Sequence, residues 1–253
     1  MLTVERMGEI SRLLHQNGLV KVDELSRRFG VSEMTVRRDL DRMEEDGCLV
    51  RCHGGAVLPA EQPGDETADR HSAEHMDAKE KIALYCLEHY VEENSVIYLD
   101  AGSTVLELAR MMAGMKNVTV VTNDVMIAGE LVNSDVNVFM LGGNIQRGLG
   151  CIHGHMAETQ LENYRMDMAF VGGLCVDDSF DLYDSTESRA YFRKKLMSCA
   201  SRTYMMLDHS KFHRQSLFKI NNLADYCAVI SDGSLLGEEQ EAALAAGIEW
   251  VSV

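Results

Sequence analysis

Two sets of residues in this chain have types and spacings suited to recognition chemistry. The first is Ser32, Met34, Thr35, Arg37 and Arg38, followed by Arg51, His53, Gly54 and Gly55. Paired arginines at the start of a short helix suit phosphate and base edges, because each guanidinium presents a planar fork of donors. The second set comes later: Asp100-Ala101-Gly102-Ser103-Thr104, Thr122-Asn123-Asp124, Gly142-Gly143-Asn144, Gly172-Gly173 and His209-Ser210-Lys211-Phe212. Glycine allows close backbone approach, hydroxyls and free helix amides suit an anion such as phosphate, and Lys211 adds a cation. Each cluster alone is ordinary turn chemistry. Their order along the chain is what gives them meaning.

The first set needs a small helical scaffold. Met7, Ile10, Leu13 and Leu14 make one amphipathic helix; Val22, Leu25 and Phe29 make a second, ended by Gly30. Val36, Leu40 and Met43 form the buried face of a third, which Ser32 caps and Gly47 stops. Met34 and Arg38 then point away from the core, flanked by Thr35 and Arg37. Two short helices joined through Gly30-Val31-Ser32 make a helix-turn-helix, whose second helix enters the major groove of DNA. Gly54-Gly55, between Leu49-Val50 and Ala56-Val57-Leu58, reads as the tight turn of a hairpin wing. Residues 3–58 are therefore expected to bind double-stranded DNA through Lys21, Ser32, Met34, Thr35, Arg37, Arg38, Arg51, His53, Gly54 and Gly55.

The second set needs a sheet. Pro59 to His75 holds both prolines of the chain and almost no apolar residues, the composition of a linker. Beyond a charged helix, Asp77 to Glu92, strand-like runs fall at 95–100, 118–122, 136–141, 168–171, 203–208, 227–231 and 249–253. Helical patterns such as 105–112, 125–132 and 190–200 lie between most of them. This alternation predicts a doubly wound, mostly parallel α/β domain over 76–253. Ligands in such sheets bind beyond the carboxyl ends of the strands. Asp100, Gly102, Ser103, Thr104, Thr122, Asn123, Gly142, Gly143 and Lys211 are thus the candidate contacts for a small, polyhydroxylated, phosphorylated molecule.

Composition narrows the class. The chain has 253 residues, 46% of them hydrophobic, and a net charge of −16. Residues 1–58 hold nine Lys/Arg against ten Asp/Glu, so nearly all the negative charge lies in the remaining 195. A near-neutral head with local arginines can touch phosphates, while an acidic body is repelled from DNA, which excludes a non-specific coating protein. The start of the chain lacks the apolar core of a signal peptide, and no run approaches the roughly 20 apolar residues that span a bilayer. The seven cysteines are odd in number and scattered, as expected of reduced thiols in a cytoplasmic protein. Cys48-Cys52-His53 and Cys151-His153-His155 lack the paired spacing of structural zinc sites, so neither a metal nor a cofactor is expected.

These residues resemble the DeoR/GlpR family of bacterial sugar-metabolism regulators. In the head the resemblance rests on Leu25, Phe29, Val31-Ser32, Thr35, Arg37-Arg38-Asp39-Leu40, Arg51 and His53-Gly54-Gly55-Ala56. In the body it rests on Lys79, Ile82-Ala83, Leu99 to Thr104, Val121-Thr122-Asn123, Leu141-Gly142-Gly143 and Asp208 to Phe212. It runs from about Thr3 to Asp232. It implies a sensor fold like that of sugar-phosphate isomerases and a homo-oligomer that represses an operon until a phosphorylated sugar releases it. The chain departs from the family pattern at Phe180, where a glycine is expected, and at Gly154-His155, where Gly-Pro is expected. It departs again at Arg189 and Arg193, in place of an acidic residue four before a lysine. Two rivals stand beside this reading. One is an isomerase-like enzyme with an appended DNA-binding domain, using Asp100 or Asp208 as base. The other is a redox regulator using Cys151 or Cys175.

Overall fold

The computed structural model describes residues 3–17, 19–45, 49–52, 54–57, 75–146 and 148–253. Gly47, Cys48, His53, Leu58 and the expected linker up to residue 74 lie outside them. The chain divides into two compact units, Met1–Gln62 and Pro63–Val253.

In the first unit, α1 (Thr3–Asn17), α2 (Val22–Phe29) and α3 (Glu33–Glu45) enclose one apolar core. Ile10, Leu13, Leu14, Val22, Leu25, Val36, Leu40 and Met43 are all buried in it, the faces that helical spacing predicted. Gly30 ends α2 in the left-handed conformation, φ 64°. The Ser32 hydroxyl then accepts a hydrogen bond from the Thr35 amide at 3.2 Å. The wing has three strands where the sequence suggested two: β1 (Leu19–Lys21), β2 (Val50–Cys52) and β3 (Gly55–Val57), in the order β1-β3-β2. Cys52 pairs with Gly55, so Gly55 belongs to a strand and Gly54 lies in the turn. Gly55 is glycine for a packing reason: a Cβ there would meet the Val20 carbonyl oxygen at 2.1 Å.

A buried ion pair ties α1 to α3. Arg6 Nε and Nη2 donate to Asp39 Oδ2 and Oδ1 at 2.6 and 3.0 Å, and both side chains are almost fully buried. Asp39 follows Arg38 directly, so this fork fixes the rotation of α3.

The second unit follows the expected alternation: α4 (Met76–His89), β4 (Val96–Leu99), α5 (Ser103–Met112), β5 (Thr119–Thr122), α6 (Val125–Leu131) and β6 (Asn137–Met140). A small hairpin, β7 (Asn144–Ile145) and β8 (Ile152–His153), leads to α7 (His155–Leu161) and β9 (Met166–Gly172). Next come β10 (Cys175–Val176), β11 (Asp181–Asp184), α8 (Glu187–Leu196), β12 (Ala200–Met206), β13 (Phe218–Asn222), β14 (Ala228–Ser231), α9 (Glu238–Ala245) and β15 (Trp250–Ser252). Seven strands form one parallel sheet in the order β15-β14-β12-β9-β4-β5-β6. These are the seven strands the apolar runs predicted. Alternate residues face opposite layers: Ile97 and Leu99 pack against α4, α5 and α6, whereas Tyr98 packs among residues of α7, α8 and α9. The chain reverses direction of growth between β4 and β9, which is where a doubly wound sheet opens its crevice.

An antiparallel sheet of β10, β11 and β13 had no counterpart in the sequence reading. Its turn holds Phe180 at φ 60°, a left-handed conformation that explains why a glycine is expected there.

Replacing Asp39 with Ala should lower the stability of the head by about 1–3 kcal/mol, because it removes the two charge-assisted hydrogen bonds that tie α1 to α3. The single tryptophan, Trp250, lies in the other unit. Urea unfolding should therefore show an early loss of helical circular dichroism with an unshifted Trp250 fluorescence transition.

Candidate functional site

In the first unit, α3 presents its candidate residues outward. Ser32, Arg37 and Arg38 are exposed, Met34 is 63% exposed, and Thr35 is half-buried beside the Ser32 hydroxyl at 2.9 Å. Arg37 is paired with Glu33 one turn earlier at 3.5 Å, a weak surface contact that DNA can displace. Lys21 is exposed near Glu24 at the end of β1. Arg51 is half-buried on β2, with Nε 3.4 Å from Asp41 on α3, so it braces the wing as well as bordering the surface. Gly54 is exposed in the turn, φ 80°, whereas Gly55 is buried and presents nothing outward. His53 lies outside the described residues.

In the second unit, a cavity of about 110 Å³ sits at the switch point. The β4 tip gives it Ala101, Gly102, Ser103 and Thr104; the β9 tip gives Gly172, Gly173 and Leu174; and the end of β12 gives Leu207 and Asp208. Lys211 closes one part of the wall and Arg189 and Arg193 of α8 another. Gly173 has no room for a side chain, since a Cβ would lie 2.7 Å from Leu182 and 2.8 Å from Leu207. Gly102 precedes α5 and no side chain caps that helix, so its first amides and their partial positive charge remain available at the cavity.

Of the nine candidate contacts, Gly102, Ser103, Thr104 and Lys211 line this cavity. Asp100 lies behind its wall, buried, with Oδ2 accepting from Arg193 Nε at 2.7 Å. The other four are spent on structure. Thr122 donates to the Leu99 carbonyl at 2.7 Å and accepts from the Asp124 amide at 3.1 Å. Asn123 accepts from the Tyr98 hydroxyl at 2.8 Å and donates to the Ile152 carbonyl at 3.0 Å. The Gly142 amide donates to Gln160 at 2.8 Å, and Gly143 lies where a Cβ would meet Ile152 at 2.8 Å.

The residues that the sequence did not assign to the pocket dominate its electrostatics. Arg193 is fully buried and donates to both Asp100 and Asp184, with a further contact to the Ala101 carbonyl at 3.5 Å. Burial disfavours its charge, but the two carboxylates more than offset that and raise its pKa. Burial would raise Asp208 as well. Hydrogen bonds from Ser210 and the charges of Lys211 and Lys79 instead hold it below the ordinary carboxylate range. Asp208 Oδ2 is buried with no hydrogen-bond partner among the described residues. Asp124 caps α6 through the Met126 and Ile127 amides at 2.6 and 3.2 Å, and burial pushes its pKa up to about 6.

Cys151 lines the cavity, with His153 Nε2 3.2 Å from its sulfur. Burial pushes this thiol up to about 11 and, with the charges of Arg189 and Arg193, drops His153 to about 3. A neutral thiol beside a neutral imidazole is poorly set up for the thiolate chemistry of a redox switch. Among the described residues no group of three His, Cys, Asp or Glu side chains could hold a metal ion, and no helix is long and apolar enough to cross a membrane.

Both units match known protein families. The DeoR-like helix-turn-helix domain family matches residues 6–62, and the DeoR C terminal sensor domain family matches residues 74–233. The HTH-type transcriptional regulator GlpR of Haloferax volcanii is 30% identical over 98% of this chain and 97% of its own. The glycerol-3-phosphate regulon repressor of Escherichia coli K12 is 29% identical over 92% of each. Among solved structures, ribose 5-phosphate isomerase A from Methanocaldococcus jannaschii aligns over 54% of each chain with a TM-score of 0.39 and 18% identity. The chain belongs to the DeoR family. It is a DNA-binding transcriptional regulator, and not an enzyme with an appended DNA-binding head.

The Asp124 carboxyl gives the sensor unit a pH signature. Its folded pKa of about 6 exceeds the ordinary 3.8, so the folded state holds the proton more tightly and loses stability as pH rises from about 4 to 6. Asp124→Asn keeps an acceptor for the helix cap without the charge. It should raise stability at pH 7 by up to about 3 kcal/mol relative to the parent and by little at pH 4, measured from Trp250 fluorescence in urea.

Proposed function

We propose that this chain represses a carbohydrate-metabolism operon and releases it when a phosphorylated sugar occupies the cavity between β4, β9 and β12. The observation that carries the reading is the cavity itself. An uncapped helix start with Ser103 and Thr104, two wall cations in Arg189 and Lys211, and an unpartnered carboxylate oxygen on Asp208 stand together at the switch point. Helix amides and Lys211 suit a phosphate, and the carboxylate suits a sugar hydroxyl. Similarity to the glycerol-3-phosphate regulon repressor of Escherichia coli K12 points the same way.

In this reading α3 enters the major groove with Met34, Thr35, Arg37 and Arg38, while Ser32, Lys21, Arg51, His53 and Gly54 hold the backbone. One such head covers little DNA, and the acidic body adds no phosphate contacts. The working species is therefore a cytoplasmic homo-oligomer placing two or more heads on repeated half-sites. Release requires only that the ligand favour the arrangement of heads that fits DNA less well. A tenfold loss of operator affinity corresponds to about 1.4 kcal/mol of coupling.

Two variants separate the two halves of this reading. Arg38→Ala should weaken operator binding by about 1–3 kcal/mol and leave sugar-phosphate binding intact, as read by fluorescence anisotropy and calorimetry. Ser103→Asp sets a like charge against the phosphate and should hold its operator while ignoring the sugar phosphate. Release of that variant at the parent's ligand concentration would place the ligand elsewhere.

A further inference from the structure

Of the two arginines in the cavity wall, Arg189 is the less satisfied. Its side chain is only 13% exposed, and its ion pair among the described residues is a single Nε contact of 3.4 Å to Asp184 Oδ1. That carboxylate is already engaged: Oδ1 accepts the Ser185 and Thr186 amides at 2.7 and 3.3 Å, and Oδ2 accepts from Arg193. No hydrogen bond among the described residues engages either terminal amino group of Arg189. Arg193, one turn along α8, contrasts with it, being fully occupied by Asp100 and Asp184. A nearly buried guanidinium with idle donors at a cavity is a place where a planar anion gains a bidentate contact.

Lys211 stands apart from it, on the short helix after β12. Its charge bears on Asp208, whereas that of Arg189 bears on Cys151 and His153. The cavity thus carries cations from two separate elements, with the Asp208 carboxylate in the wall near Lys211. Its volume of about 110 Å³ is small.

We propose that Arg189 is a specificity-determining residue that selects a ligand with two anionic groups, a short phosphorylated sugar acid, in preference to a phosphorylated neutral polyol. The phosphate takes the α5 amides and Lys211, the carboxylate takes the Arg189 guanidinium, and a hydroxyl between them donates to Asp208. This rests on the sugar-phosphate reading above and narrows it.

The test is calorimetric titration of the full chain with two probes of equal carbon count, 3-phosphoglycerate and glycerol 3-phosphate. The parent should bind 3-phosphoglycerate at least about tenfold more tightly, the order of effect of one charge-assisted bidentate contact. Arg189→Gln should erase the difference by weakening 3-phosphoglycerate alone, and Arg189→Lys should restore part of it. Equal affinities in the parent would overturn the proposal while leaving the sugar-phosphate reading standing. So would an equal loss of both ligands in Arg189→Gln with a lowered unfolding midpoint, since Arg189 would then be a structural residue. If neither probe binds at millimolar concentration while an uncharged sugar does, the sugar-phosphate reading fails and this inference falls with it.

Discussion

The sensor unit depends on one buried charge, the Arg193 guanidinium, held between Asp100 and Asp184. These three residues come from α8, the end of β4 and β11, and all are almost fully buried. An arginine taken out of water must be surrounded by acceptors, and removing one partner leaves a charge that the interior cannot solvate. The triad therefore fixes where the β4 tip lies relative to α8 and to the antiparallel sheet. The uncapped start of α5 and the Arg189 side chain are set by the same arrangement. Asp100 thereby positions the β4 tip.

The head solves a similar problem on a smaller scale. Among the described residues its core holds eleven buried apolar side chains, whose contacts are non-directional. The Arg6–Asp39 fork supplies direction that apolar contacts lack. Both units thus place a buried arginine–carboxylate contact next to the residues that meet a partner.

What the sequence revealed follows from how each element is buried. The five inner strands of the parallel sheet are largely buried on both faces, so they read as apolar runs that length and flanking turns identify, while the edge strands β6 and β15 are partly exposed. The helices of the head show their buried faces through spacing. Strand order, by contrast, is not written in any local pattern. Thr122-Asn123 and Gly142-Gly143 follow strands as Gly102-Ser103 does, but β5 and β6 lie on the outer side of β4, away from the crevice. From the β5 tip only Asp124 reaches the cavity. The strands β10, β11 and β13 are short, and β11 and β13 are rich in polar residues, which hid the sheet that carries Asp184. Arg189 and Arg193 were visible as departures from a family pattern. Only the fold shows that one is consumed by buried carboxylates while its neighbour is not.

The account stands or falls on whether a phosphorylated sugar derivative occupies the crevice built around the triad. Amide hydrogen exchange of the full chain, with and without a saturating phosphorylated ligand that releases its operator, tests this directly. Protection should concentrate at residues 102–106 of α5, at Gly172 and Gly173, and at 208–212, where the amides and side chains meet the ligand. Protection confined to other parts of the chain, with those segments unchanged, would contradict it.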